Sequence, residues 1–575
     1  MRPMARTRWF LIIVLLLLAV LGAWLWWVRP RAVDMAAYAP ADSLLYLESN
    51  NPTDVAAALA KTDAWKLVDE LTGNKWRTGK DNWSTKFVRW TGIGPTNSVI
   101  VTRAQLAVVV TDLGVSQDGE SLTVKPEGAL LVETHTAASR IKSPVEQALK
   151  KFAETAYGQP TLRRTNVDGF EFIEWIAPGG SRQVVATFVG TLVIVGNTER
   201  AVQKSLAVAS HRQPSLKDDE DLKRLRLDLQ ADQALAFGYV PAKSSGRLLS
   251  VAVPMLLGRA PGNSEFERLI DSASAKIVAS LGWSSLSFMD GIEDRYRIDL
   301  QPAMVAKLKE SFSCQRADPA SNPRLPDNFS SVTYYRFQNP TMAWQGLKTS
   351  VASQVDALSA IFFSSLLKSA LLPFGINEPD KFLNLVEGPV ITSRLDPDTA
   401  GSMLIAKVRD EPAMREFLIA GMGFRLINAK QTDEIFSNSD GEFVAGFVNG
   451  FVAIGSPTDV ARSTENAVSA SPDQSSASPR VRSTPSSNGA CVLTYANDSE
   501  RVRAFVSTAA EVGGSTALWS DKTEQGLRLL PYSVTETNLG EHGIVRVTRS
   551  SLGQFSSLLP LVFPERKRSN ERSSR

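Results

Sequence analysis

Two stretches of the chain share one pattern of apolar and polar positions. "FVGTLVIVGN" covers Phe188 to Asn197, and "FVNGFVAIGS" covers Phe447 to Ser456, 259 residues further on. In the second, "EFVAGFVNGFVAIG" predicts two β runs joined by Asn449-Gly450, a dipeptide suited to a tight hairpin turn. The strand stops at Gly455. Ser456-Pro457 then offers a cap and a proline at the first position of the helix "TDVARSTENAV". In the first stretch Asn197 takes the cap position before the helix "TERAVQKSLAVA".

Other markers recur in the same order. "SLLYLESNNPT" (43–53) parallels "SVTYYRFQNPT" (331–341), "GALLVETHT" (128–136) parallels "GSMLIAKVR" (401–409), and "QALAFGYV" (233–240) parallels "GACVLTYA" (489–496). Four weak likenesses in one order predict a fold written twice in tandem. Amphipathic helices fit this scheme. "SPVEQALKKFAETA" places apolar residues on one helical face, with Ser143 as cap and Glu146 at the third position, and "DEPAMREFLIAG" has Asp410 near its cap. "HRQPSLKDDEDLKRLRLDLQAD" reads as helical and charged. "IFFSSLLKSALLPF" (361–374) is too short to span a membrane and reads as a buried helix.

Hairpins dominate and no strict βαβ rhythm appears, so the expected class is α+β: two tandem copies of an antiparallel-sheet-plus-helices unit after one N-terminal transmembrane helix. The copies are placed at 35–312 and 327–563. A proline-rich polar linker at 313–326 separates them, and a basic tail at 564–575 follows. Inside the second copy, "SASPDQSSASPRVRSTPSSN" (469–488) reads as a surface loop.

The anchor is expected from "WFLIIVLLLLAVLGAWLWWV", Trp9 to Val28, which carries no charge. At about 1.5 Å per residue it spans roughly 30 Å, the thickness of a bilayer's hydrocarbon core. Arg2, Arg6 and Arg8 precede it and Trp24, Trp26 and Trp27 mark its far end, although Arg29 and Arg31 weaken the charge asymmetry. A cleaved signal peptide would have a shorter apolar region and small residues at the cleavage site, so an uncleaved anchor in residues 1–34 is favoured. The remaining chain is then extracytoplasmic.

Charge narrows the partners. The formal net charge is +3, yet residues 1–31 hold five arginines and no acid, and the tail "PERKRSNERSSR" adds a net +3, leaving about −5 between them. A nucleic-acid binder needs its basic face on the folded part, so no nucleic-acid partner is expected. Two cysteines, Cys314 and Cys491, and three histidines do not assemble readily into a metal site, and no metal or cofactor is expected. Two unpaired thiols are favoured over a bridge, which an oxidising compartment would permit.

Motifs that carry chemistry are mostly missing: there is no G-x-S-x-G, H-E-x-x-H, EF-hand loop or G-x-G-x-x-G. Two constellations remain. Glu133 and His135 in "LLVETHTA", two apart on a strand, would share a face and suit an acid/base pair. The plainer reading is a solvated strand end, and the second copy has Ala406 and Val408 there. The other is "KWRTGKDNWSTKFVRW", where Trp76, Trp83 and Trp90 recur every seven residues among Lys75, Arg77, Lys80, Lys86 and Arg89. Such a stripe suits a membrane surface, sugar rings or another planar ligand. Packing beneath the sheet is the commoner fate of aromatic stripes.

The order of anchor, "YAPADSLLYLESNNPTDVAAALAKTDAW", "SLKDDEDLKRLRLDLQADQALAFGYV" and "FMDGIEDRYRIDL" is similar to a family of exported bacterial proteins of unknown function. The likeness covers most of the first copy and fainter parts of the second. It implies an envelope location in a bacterium and supplies no catalytic residues; with the anchor, the expected location is the bacterial inner or cytoplasmic membrane, crossed once. The expected function is a non-catalytic binding or scaffold role in the cell envelope, with the membrane and an envelope protein or polymer as partners. The alternative is a hydrolase-like envelope enzyme with its site between the copies.

Overall fold

The computed structural model describes residues 32–72, 103–118, 121–256, 264–315, 329–395, 402–430, 433–469, 489–512 and 521–557. The apolar run Trp9–Val28, the tryptophan-rich segment and most of 469–488 lie outside them. Among the described residues no helix is long and apolar enough to cross a membrane.

Local signals build the elements as the pattern of side chains requires. At the second repeated stretch, strands Val444–Val448 and Phe451–Gly455 pair across a turn in which Asn449 and Gly450 both have positive φ, 50° and 79°. Ser456 Oγ then accepts from Asp459 N at the start of helix Pro457–Ser469. Asp410 caps its helix by accepting from Ala413 N. Two cap expectations need correction. Thr198, not Asn197, caps helix Glu199–Ala209, because the Asn197 amide is spent bridging Gly128 N and Pro126 O. Helix Ala138–Tyr157 begins before Ser143 and carries Pro144 inside its first turns. The helical segment Ala357–Lys368 also exists, but it and the turn after it are only partly buried.

Among the described residues ten strands come from the first part of the chain: β1 (Leu45–Ser49), β2 (Gln105–Asp118), β3 (Ser121–Glu133), β4 (Thr161–Val167), β5 (Phe170–Ile176), β6 (Gln183–Val189), β7 (Leu192–Gly196), β8 (Ala236–Val240), β9 (Val278–Phe288) and β10 (Gly291–Leu300). Five more are β11 (Ser331–Tyr335), β12 (Val386–Arg394), β13 (Met403–Val408), β14 (Arg425–Lys430) and β15 (Asp433–Ser437). The last five are β16 (Val444–Val448), β17 (Phe451–Gly455), β18 (Val492–Ala496), β19 (Ser533–Leu539) and β20 (Gly543–Ser550). From one edge the sheet runs β4-β5-β6-β7-β3-β2-β1-β8-β9-β10, all antiparallel. From the other edge it runs β14-β15-β16-β17-β13-β12-β11-β18-β19-β20, again antiparallel.

The two series meet. β10 pairs with β20 from Ile292↔Ser550 to Asp299↔Gly543. This overturns the expected α+β arrangement of two tandem antiparallel-sheet-plus-helices units: all twenty strands of the described residues form one antiparallel sheet. The halves share a strand order but not independence. The physical reason is the edge. Two long strands with open N–H and C=O groups are satisfied by each other, and nothing local in the sequence announces that pairing.

Helices cross the seam as well. Helix Asp63–Thr72 sends Ala64, Leu67 and Val68 against Val502, Phe505 and Val506 of helix Ser499–Val512. Helix Pro302–Ser311 packs Met304, Val305 and Leu308 with Val351 of helix Pro340–Ala352. The largest core cluster of the first half, around Tyr46, Leu131, Ile194 and Phe237, lies beneath helices Glu199–Ala209 and Glu220–Asp228. Its counterpart in the second half, around Leu404, Ala406, Val452 and Ile454, is on the opposite face of the sheet by strand alternation.

Candidate functional site

Glu133 and His135 do come together, but they do not share a strand face. β3 ends at Glu133, and His135 sits in the turn beyond it with φ 52°. The Glu133 side chain is 1% exposed, and its Oε1 accepts from the His135 backbone N at 2.8 Å. His135 Nδ1 stands 3.9 Å from that same oxygen, and Tyr38 Oη reaches Oε2 at 3.5 Å. Burial, reinforced by the Glu133 carboxylate, raises the Tyr38 hydroxyl's pKa above its usual value. The buried carboxylate holds the left-handed turn that carries His135. The other predicted group, Trp76, Trp83, Trp90, Lys80, Lys86 and Arg89, lies outside the described residues.

What the structure assembles instead is a band of polar and charged side chains that runs across the sheet and through the seam. Register places Glu48, Phe237, Ser284, Arg295, Val547, Glu536, Leu493 and Tyr334 in one row on one face. At one end Arg226, from helix Glu220–Asp228, donates to both Glu48 oxygens at 3.1 and 2.7 Å and to Asp34 at 2.9 Å. Tyr46 Oη, fully buried, donates to Glu48 at 2.6 Å. Burial raises the Glu48 pKa despite the opposing charge of Arg226.

At the seam itself Glu293 is clasped by Arg295 and Arg549, each at 2.7 Å, and Arg549 continues to Glu536 at 3.1 Å. Arg224 and Arg297 hold Asp299 at 2.7 and 2.9 Å. A buried carboxylate is tolerated only with such partners. Beyond Tyr334, on the same side, lies Arg336.

The opposite face of the seam carries Asp294, 1% exposed. It accepts from Trp283 Nε1 at 3.2 Å, from Ser285 Oγ, and from the Gln554 backbone N at 3.0 Å. Burial outweighs these bonds and pushes its carboxyl up to about 6, with Asp498 adding repulsion. Tyr296, beside it, is pushed up to about 12, chiefly by burial, and lies 5.7 Å beneath the Arg546 guanidinium. Among the described residues no cluster of three or more His, Cys, Asp or Glu could hold a metal ion.

Cys314 and Cys491 form a disulfide, with Cα atoms 5.1 Å apart, which corrects the expectation of two free thiols. The bridge sits beside Arg336. The Arg336 N donates to Cys491 O and its carbonyl accepts from Gln315 N, both at 2.8 Å. Sequence reasoning missed the seam residues, although "GIEDRYRIDL" carried a signal: charges at both parities of a strand, so that neither face is purely apolar.

No family model matches the chain, and neither curated proteins nor solved structures give a match.

Proposed function

We propose that the chain is a disulfide-locked, non-catalytic binding body of the bacterial cell envelope, held at the inner or cytoplasmic membrane by residues 9–28. The observation that carries this reading is the Cys314–Cys491 bridge, which closes a sequence separation of 177 residues. Such bridges persist in oxidising compartments and are rare in the cytosol. The binding role is supported by how the band spends its charges: Glu48, Glu293, Glu536 and Asp299 are each engaged by arginine. Its partner is an envelope protein or polymer and not a nucleic acid.

Two measurements test this. Thiols are alkylated in intact cells before lysis, and the tryptic peptides of Cys314 and Cys491 are examined for a cross-link; free, alkylated peptides would sink the location. Cross-linking of the full-length chain in native membranes, followed by mass spectrometry, should give a reproducible envelope partner that is lost when residues 1–34 are removed.

The enzyme reading has one observation in its favour, the Asp294 carboxyl raised to about 6 at the junction of the halves. It requires hydrolysis of an ester or glycoside substrate by the purified chain, abolished in Asp294→Asn. Activity surviving in that variant would remove this site from consideration.

A further inference from the structure

Arg336 stands apart from the other buried charges. It is 8% exposed, and its Nη1 is sealed from solvent without a hydrogen-bond partner among the described residues. Its guanidinium lies 6.0 Å from the centre of the Tyr334 ring, which meets Tyr495 edge-on at 6.3 Å. Glu536 acts on it only from a distance and is already joined to Arg549 at 3.1 Å. Burial lowers the Arg336 pKa, yet an arginine does not give up its proton in a protein. The charge therefore persists where it costs most.

The first half solves the same problem internally. Glu48 lies two residues after Tyr46, as Arg336 lies two residues after Tyr334, and Glu48 is met by Arg226 and by the Tyr46 hydroxyl. In the second half the sign is reversed and no carboxylate closes on Arg336 as an ion pair among the described residues.

We propose that Arg336 is the anchor of a ligand site for an oxyanion, the carboxylate or phosphate group of a small molecule, bracketed by Tyr334, Tyr495 and the Cys314–Cys491 bridge. The planar guanidinium fork matches two oxygens of either group. Tyr334, its hydroxyl pushed up to about 12 by burial, stays a neutral donor beside it. The strands that hold Arg336 are the segments joined by the disulfide, so the bridge fixes the anchor in place. This deepens the binding reading above and rests on it.

The test is a thermal-shift titration of the purified full-length chain with inorganic phosphate and, separately, with succinate, at constant ionic strength set by chloride. The wild-type midpoint rises saturably with at least one of them. A response to phosphate alone identifies a phosphate-bearing ligand, and one to succinate alone a carboxylate. Arg336→Met abolishes the response while its ligand-free midpoint stays equal or rises, because an uncompensated buried charge has been removed. Arg336→Lys keeps the charge but loses the fork, so half-saturation moves up about tenfold, and this variant decides the matter if the methionine variant does not fold. An undiminished shift in either variant, or no wild-type response to either anion, overturns the site. Cross-linking to an envelope partner that survives Arg336→Lys would keep the binding reading while the site falls.

Discussion

Opening the Cys314–Cys491 bridge should cost more than any single side-chain deletion elsewhere in the sheet. The bridge spans a sequence separation of 177 residues, so the reduced unfolded chain gains all the freedom that closing so large a loop had removed. The chain-entropy relation gives about 5 kcal/mol for a loop of that size. Cys314→Ser and Cys491→Ser each open the same bridge, so each should lose that amount, and the double variant should lose little more than either single one. Urea unfolding followed by tryptophan fluorescence measures it, comparing the oxidised wild type with the three variants. A loss below about 1 kcal/mol would show that the unfolded chain stays closed by other contacts. Additive single losses would show that each cysteine acts through its own packing. Either result refutes the loop-closure reasoning.

Replacing Arg226 by Met should cost about 3–5 kcal/mol in the same assay, because Glu48 is left buried without its cation, and adding Glu48→Gln should recover much of that; no recovery would point to lost packing instead. For Asp294 the folded carboxyl holds its proton up to about pH 6, while the unfolded one releases it near 3.9. The folded state therefore binds more protons in between, and stability falls as pH rises from about 4 to about 6 and then levels, by roughly 3 kcal/mol in all. Asp294→Asn should flatten that slope in denaturation at a series of pH values; an unchanged slope assigns it to another group. At the seam, Gly543 has φ 149° and a Cβ there would stand 2.1 Å from Ile298 O. Gly543→Ala should lower stability by about 1–3 kcal/mol by calorimetry, and an unchanged transition would mean that the β10–β20 pairing yields easily.

Legibility followed sequence distance. The Asn449-Gly450 hairpin, the Asp410 cap and the charged helix Glu220–Asp228 could be read because each is decided by residues within a few positions of one another. Asn197 was misjudged as a cap because its amide answers Pro126 and Gly128, some seventy positions back. The β10–β20 pair joins residues about 250 positions apart, and Glu48 draws its cation from Arg226, 178 positions on, so no short window of sequence contains either arrangement. Glu133 and His135 could be read as neighbours, but not as a turn, because the end of β3 is set by its pairing with β2 and β7.

The charges at the seam also account for its register. Glu293 lies directly opposite Arg549, and Tyr296 directly opposite Arg546, on the two faces of the same strand pair. Opposite-charge and cation–aromatic pairs across a strand pair are each worth a fraction of a kcal/mol to about 1 kcal/mol, which is modest. Their larger effect is on the alternative. A slip of one residue would carry Glu293 and Arg295 to the other face and bring Asp294 among the arginines, leaving the Trp283 and Ser285 donors without their acceptor. That slip would strand a buried carboxylate at a cost of several kcal/mol. An apolar seam between two series of strands with the same order would have offered several nearly equivalent pairings. A charged one penalises the one-residue slip, so the polar band through the centre of the sheet helps secure how the halves join.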